Sequence, residues 1–410
     1  MLTPDPCCEA RPSLTLDFEG APPGRTYMVR AQGARCWDTT GREYLEFTAC
    51  RGPILLGYAD DRVDSAVREQ MTLGIHFPMC NLFVDPLKEQ LLEIFPWAGG
   101  VDLKKTGSDA TTEAVRLART FTGRWKIIRA GYHGWHDWSA QQIGTRHWTH
   151  RHANGWVPKV PGVPRGEVEN VVYNWDGDEV AYVETLLRSQ AGEFAAVIIA
   201  ADELYKPVDE RLRDLRRLTS EHGALFILDE VKTAFRTGLG GIGELYGVTP
   251  DLTTISKAMA NGYPISAVIG RKDVMATVGQ THVFTTFQHD LLSIAAARKT
   301  IEIMRTTDTL AQLWARGRQL IDGFNQIAHE LDLADLVAAE GWQWETMPFF
   351  AFQPADPRAQ ALKRRFHDEL RARGVYMSPD HMDFIMAAHT EADLEQTLEA
   401  CAGALQFAKE

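Results

Sequence analysis

Asp229 and Lys257 are the residues of this chain whose types and spacing carry chemistry. The carboxylate closes an apolar run, Phe226-Ile227-Leu228, inside FILDEVKTAFR (226–236). Such a run ending in an acid reads as a buried parallel strand delivering a residue at its carboxyl end. The lysine lies 28 residues further on, after a second short run, Leu252 to Ile255, and Ser256. A lysine and a carboxylate delivered from two strand ends suit pyridoxal phosphate chemistry. The lysine forms the Schiff base, and the carboxylate keeps the pyridine nitrogen protonated so that the ring can take up electrons. Alone, each has a plainer reading: a helix-facing lysine, and a structural Asp in a βα turn. Set in these two strings together, the plainer reading loses.

Two more segments fit around that pair. KKTGSDATTEAVRLARTF (104–121) runs from a strand end through Gly107-Ser108 into a helix with Ala114, Leu117, Ala118 and Phe121 on one face. A Gly-Ser turn at a helix N-terminus offers N–H groups and a hydroxyl to a phosphate, although Ser108-Asp109 also reads as a simple cap. Gly131-Tyr132-His133-Gly134 follows the strand KIIRA, and Tyr132 there reads either as an aromatic that stacks on a planar cofactor or as a core tyrosine.

The elements that must position these residues are legible as a pattern. Between 100 and 290, the apolar runs KIIRA (126–130), AAVIIAA (195–201), ALFILDE (224–230), LTTIS (252–256) and SAVIG (266–270) alternate with amphipathic helices. The alternation predicts an α/β fold with a doubly wound, mostly parallel sheet. Residues 1–60 read as an arm with a hairpin at 33–47 turned at Thr40-Gly41, and 61–300 as the large domain. Helices are expected at 61–73 and 86–95, with Pro86 at the first helical position. Residues 301–410 read as a smaller α+β domain, with helices at 291–305 and 308–332 leading into it and a strand at 349–353. The stretch 135–165 carries Trp135, Trp138, Trp148 and Trp156, interleaved with His136, His147, His150 and His152. It reads either as a surface excursion or as a lid whose indoles cover a ring substrate.

Composition excludes several classes. With 45% hydrophobic and 24% charged residues the chain is an ordinary globular protein, neither disordered nor fibrous. Its net charge of −12 argues against nucleic acid as partner and permits a cationic substrate. Cysteines 7, 8, 36, 50, 80 and 401 form no CxxC pair and no His stands at metal-ligand spacing, so free thiols in a reducing compartment are expected, with no metal. The longest apolar run, Ala195 to Ala201, is too short to span a bilayer, and the first residues have no signal-peptide core, so a cytoplasmic protein is expected.

The ordered motifs GSDATTEAVRLAR, GYHG, LDEVKTAFR, SKAMANGYPISAVIG and FTTFQHDLLSIAAA resemble the class III (omega) aminotransferases, nearest to the glutamate-1-semialdehyde aminomutase-like branch, over nearly the whole chain. The resemblance implies fold type I and pyridoxal phosphate as cofactor. Lys257 then matches the Schiff-base lysine, Asp229 the pyridinium partner, Val231 the residue under the ring, Tyr132 the stacking aromatic, and Gly107 with Ser108 the phosphate cup. Thr286 matches the threonine that reaches the phosphate from a neighbouring subunit, which implies a homodimer with shared active sites.

Departures from the family pattern bear on substrate. Ala200 stands at the family's acidic position, Arg51 replaces the aminomutase's tryptophan before Gly-Pro, and no Arg follows Arg373 to grip a substrate carboxylate. Together with the motifs they resemble the aminotransferases of aminoglycoside antibiotic assembly, of the neomycin and gentamicin 6′ type. That implies a polycationic aminoglycoside and an amino donor as substrates. Arg51 and Arg30 are candidates for the donor carboxylate; Trp135, Asp202, Glu203, Asp290, Asp380 and Asp383 are candidates for the sugar and its ammonium groups. Arg236 is expected to form a structural pair and His133 to be a hydrogen-bonded core residue. Three readings stay open: transamination of an oxidised sugar carbon, isomerisation (epimerase or aminomutase), and a catalytically dead relative.

Overall fold

The computed structural model describes residues 26–79, 82–140, 142–143, 157–158, 171–173, 179–204 and 206–410. Strands β1 (Met28–Gln32), β2 (Arg35–Asp38) and β3 (Glu43–Glu46) form an antiparallel meander. Asp38 organises the β2–β3 turn, its Oδ1 accepting the Thr40 N–H at 2.8 Å and the Arg42 N–H at 3.1 Å. This is the hairpin expected around Thr40-Gly41.

The remaining strands follow in chain order: β4 (Gly100–Lys104), β5 (Lys126–Ala130), the two-residue partners β6 (Gln142–Ile143) and β7 (Val157–Pro158), β8 (Val171–Tyr173), β9 (Phe194–Ala200), β10 (Leu225–Asp229), β11 (Leu252–Ile255), β12 (Ser266–Gly270), β13 (Val337–Gly341), β14 (Pro348–Phe352) and β15 (Val375–Tyr376). The central sheet has the order β4-β12-β11-β10-β9-β5-β8. Only β12 runs antiparallel to its neighbours, so the other six strands present their carboxyl ends at one rim. Every residue of β9, β10 and β11 is buried, which is why they appear as unbroken apolar runs. Alternation still sorts the faces. Leu225 and Ile227 pack with Ala110, Ala114 and Leu117 of helix Gly107–Thr122, whereas Phe226 and Leu228 enter the larger core that holds Leu212 and Leu215 of helix Val208–His222.

β15 pairs with β3 in parallel, Val375 opposite Leu45, so the N-terminal meander and the C-terminal segment share one sheet. The doubly wound sheet with a smaller α+β unit from both ends of the chain is the architecture expected. Helix Leu291–Thr306 runs straight through residue 300, so the expected boundary there falls inside a continuous element. Pro86 is the third residue of helix Val84–Ile94, not the first, because buried Val84 starts the helix two residues earlier. The first-turn N–H that proline lacks has no intrahelical partner in any case. Phe121 turns partly to solvent beneath the Arg271 guanidinium, 5.5 Å from its ring.

Among the described residues no helix is long and apolar enough to cross a membrane, and no group of His, Cys, Asp and Glu could hold a metal ion. Cys36, Cys50 and Cys401 are free thiols; Cys7, Cys8 and Cys80 lie outside the described residues. Trp148, Trp156, His147, His150 and His152 also lie outside them, and with them the body of the expected lid.

His389 ties the two ends of the chain together. Its Nδ1 accepts the Met386 N–H at 2.9 Å, its Nε2 donates to the Glu46 carbonyl at 3.0 Å, and its ring stacks on Phe47 at 4.2 Å. Burial pushes its pKa down from 6.5 to about 4. The unfolded chain therefore takes up a proton below about pH 6.5 that the folded chain refuses until about pH 4, so stability falls as pH falls through that window. The slope from this group is at most about 1.4 kcal/mol per pH unit. Urea midpoints measured from pH 7 to pH 4.5 should decline, and His389→Gln, although less stable at pH 7, should decline less steeply.

Candidate functional site

The cleft at the rim gathers loops that follow five strands. Gly107, Ser108 and Thr111 enter from the helix after β4, Tyr132, His133 and Gly134 from after β5, and Ala200 with Asp202 from β9. Asp229, Val231 and Lys232 come from β10, and Ser256 with Lys257 from after β11. This is the crevice beyond the carboxyl ends of parallel strands, where α/β sheets hold their ligands.

Asp229 is paired in the sheet with Ala200 on one side and Thr254 on the other. Its Oδ1 accepts the Val231 N–H and the Thr254 hydroxyl, each at 3.0 Å, while its Oδ2 lies 2.7 Å from His133 Nδ1. Glu230, next in sequence, turns the other way and accepts the Gly243 N–H at 2.8 Å. The alternation of a strand thus separates the two acids, one into the cleft and one into the packing behind it. His133 is buried as expected, but it braces the cleft carboxylate itself, a contact not visible in the sequence.

Lys257 follows β11 with φ of +43°, a left-handed conformation that costs a residue with a side chain and that tends to mark functional sites. The turn it opens ends at Asn261, whose side chain accepts the N–H groups of Leu55 and Leu56 and donates to the Gly57 carbonyl at 2.9 Å. Burial first, and then the charge of Lys232, push the Lys257 amine down from 10.5 to about 7. A lysine at that value is available as a base and nucleophile at neutral pH.

The helix start supplies the anion end. Thr106, not Ser108, caps the helix in a reciprocal box with Asp109, which leaves the Ser108 hydroxyl in the cleft to accept the Trp135 N–H at 3.4 Å. Packing there is close. A Cβ on Gly107 would stand 2.7 Å from a Val231 methyl, and one on Gly134, whose φ is +95°, would stand 2.2 Å from Ser108 Oγ.

The cleft thus brings together Gly107, Ser108, Tyr132, Asp202, Asp229, Val231 and Lys257. Within the cleft, Asp202 is buried and ion-paired to Lys232. Other candidates lie elsewhere. Trp135 is exposed and outside the lining. Arg51 sits outside it too, in a run of left-handed residues from Ala49 to Gly52, with its charge acting on Tyr132. Arg30 lies over Trp37 in β1. Asp290 caps helix Leu291–Thr306 and pairs with Lys105, Asp380 pairs with Lys363, and buried Asp383 accepts the Ser378 N–H. Among the described residues Arg236 pairs with no carboxylate; it donates to the carbonyls of Gly52, Ile54 and Ile385, a structural role met by backbone instead of an ion pair. Thr286 is exposed and does not reach the cleft of its own chain. Lys232, Thr111, Gly134 and Ser256 are cleft residues that sequence reading missed, and Lys232 alone of these four carries a charge.

Comparison with known proteins decides the family. The aminotransferase class-III profile matches residues 20–404. The chain is 33% identical to the 3-aminobutyryl-CoA aminotransferase of Cloacimonas acidaminovorans (strain Evry), covering 91% of this chain and 87% of that one. The chain belongs to the class-III aminotransferases. It is likewise 33% identical to the 2'-deamino-2'-hydroxyneamine transaminase of Streptomyces kanamyceticus (92% and 90% covered) and to the glutamate-1-semialdehyde 2,1-aminomutase of Roseiflexus castenholzii (strain DSM 13941 / HLO8; 94% and 91%). The FumI protein of Sphingopyxis sp. MTA144, solved in its PLP internal aldimine form, superposes with a TM-score of 0.82 at 29% identity, covering 93% of this chain and 88% of that one. Pyridoxal phosphate is accordingly the cofactor of this class-III enzyme. The donor set of the cleft fits it: a hydroxyl at a helix N-terminus for the phosphate, a carboxylate for the ring nitrogen, an aromatic and a branched aliphatic for the ring, and a lysine amine for the aldehyde.

The close packing of Gly134 on Ser108 makes a direct test. Gly134→Ala must move the hydroxyl or strain the backbone. It should therefore weaken cofactor binding by about tenfold or more while the fold stays intact, as read by cofactor retention on dialysis and by circular dichroism.

Proposed function

We propose that this class-III enzyme moves an amino group between an amino donor and a 6′ carbon of an aminoglycoside, that carbon being at the aldehyde or ketone level when it accepts. The observation that carries the reading is full-length similarity to a neamine-type transaminase in a chain without an arginine after Arg373. A net charge of −12 favours approach of a polycation.

The bound cofactor supplies the electron sink for a carbanion at the substrate carbon. Lys257 would hold the cofactor through its amine, and that amine, its pKa lowered by burial and by Lys232, would serve as the base that takes the substrate proton. Asp229, fixed by Val231, Thr254 and His133, holds the ring nitrogen's proton. Tyr132 and Val231 would hold the cofactor ring, and Ser108 with the helix start would bind its phosphate. Arg51, within its left-handed turn, would take the carboxylate of the amino donor.

The enzyme acts as a homodimer in this reading. Ile75, Phe77, Met79, Leu82, Phe284 and Phe287 are all exposed, and the His76 ring meets Phe287 at 5.5 Å, which sets the exposed apolar segment around residue 76 on the same face as the one that carries Thr286. A face of that kind calls for a protein partner, and a second copy would bring Thr286 to the neighbouring phosphate.

A second reading, isomerisation, draws on the 33% identity to an aminomutase and would run without an amino donor.

The half-reaction tests the substrate. An amino-bearing aminoglycoside added to the holoenzyme should convert the cofactor to its amine form, and glutamate-1-semialdehyde should be a poor substrate. Rapid turnover of the semialdehyde, with no spectral response to any aminoglycoside, would replace this reading by the aminomutase one. The shared site has its own test. Mixing Lys257→Ala with Thr286→Ala protomers should restore part of the activity, because one site of each mixed dimer then carries neither lesion; a fully active, cofactor-retaining monomer would rule the arrangement out.

A further inference from the structure

The cleft holds a second lysine whose position follows from strand register. Asp229 of β10 pairs with Thr254 of β11 and with Ala200 of β9. Lys232 lies three residues beyond Asp229 and Lys257 three beyond Thr254, while Asp202 lies two beyond Ala200. Three adjacent strand ends therefore set an acid, a lysine and a second lysine side by side. Lys232 Nζ lies 2.5 Å from Asp202 Oδ2 and 3.8 Å from Glu203 Oε1, with both carboxylates almost wholly buried. The Trp342 indole N–H donates to the Asp202 carbonyl at 2.6 Å and anchors the turn that carries both acids.

We propose that Lys232 is a positioning residue for Lys257: a fixed ammonium, clamped by Asp202 and Glu203, whose charge keeps the neighbouring amine neutral and ready to accept a proton. The inference rests on the reading that Lys257 carries the cofactor. An ammonium buried beside two carboxylates keeps its charge, because losing the proton would leave the acids unpaired. An amine beside it, with no such clamp, gives its proton up. Among the described residues, the other titratable groups facing the two lysines include Asp229 from β10, Arg236 from the turn beyond it and His381, held neutral by burial, from the C-terminal segment. Asp202 and Asp229 favour a proton on Lys257 and Arg236 opposes one, but Lys232 acts most strongly of the charged groups. The direction is the one chemistry needs, since a protonated Lys257 could neither attack the cofactor aldehyde nor take the substrate proton.

The test uses the holoenzyme and the pH at which the cofactor's visible band changes form, a titration of the nitrogen that Lys257 contributes. Lys232→Met should raise that midpoint by about one pH unit, a tenfold change in proton affinity, and Lys232→Arg should leave it in place. Asp202→Asn should lower it, because the ammonium is then less neutralised. A structural lesion alone would not move the midpoint in opposite directions in two variants of one ion pair. A midpoint unmoved in Lys232→Met, with borohydride still fixing the cofactor on the peptide containing residue 257, would overturn the proposal. Recovery of the cofactor on another lysine would instead overturn the assignment of Lys257. Should Lys232→Met fail to fold, Asp202→Asn decides: a lower midpoint supports the proposal, and an unmoved or higher one overturns it.

Discussion

Charge burial at the sheet rim is the constraint on which the rest of the site depends. Two lysines and three acids, Asp202, Glu203 and Asp229, meet where water is largely excluded, and each must be paired or give up its charge. The fold meets this unevenly. Asp229 is surrounded by donors from three elements, Lys232 is clamped between two acids, and Lys257 alone is left with burial and a like charge as its dominant influences. Lys257 is thus set apart by what its neighbours have been given and it has not.

Much of this was legible in the sequence for a definite reason. A parallel strand buried on both faces must be an apolar run, and a residue delivered at its carboxyl end must follow directly. Asp229 after Phe226-Ile227-Leu228 and Lys257 after Leu252 to Ile255 therefore announce themselves. The pairing of Lys232 with Asp202 was not legible, because it depends on β9 and β10 being neighbours in register, a fact of sheet order that local sequence does not carry. Asp202 consequently looked like a carboxylate open to substrate. The same limit applies to His133, whose contact with Asp229 joins residues 96 apart. The cap of the helix at Gly107 was open in the sequence for a different reason. Thr106 and Ser108 are both competent caps, and only the observed reciprocal bonds with Asp109 choose between them.

Both ends of the chain contribute to the site by contacts of long sequence range. β3 pairs with β15, His389 grips Glu46, and Asn261 beside the Lys257 turn holds residues 55–57. The smaller unit is therefore wired to the turn that bears the lysine, and the placement of Arg51 relative to the cleft is set by the fold as a whole instead of by its own loop.

Arg236 shows what that wiring leaves open. Its guanidinium is fully buried, lies 4.8 Å from the centre of the Phe384 ring, and holds the 52–54 turn and the C-terminal segment through three carbonyl oxygens. A carbonyl belongs to every residue, so the anchor is blind to which side chains the anchored segments display. The side chain displayed at residue 51 thus takes no part in that anchor, and if Arg51 meets the substrate as proposed, a point change there would alter the ligand while the three carbonyl contacts of Arg236 stay in place.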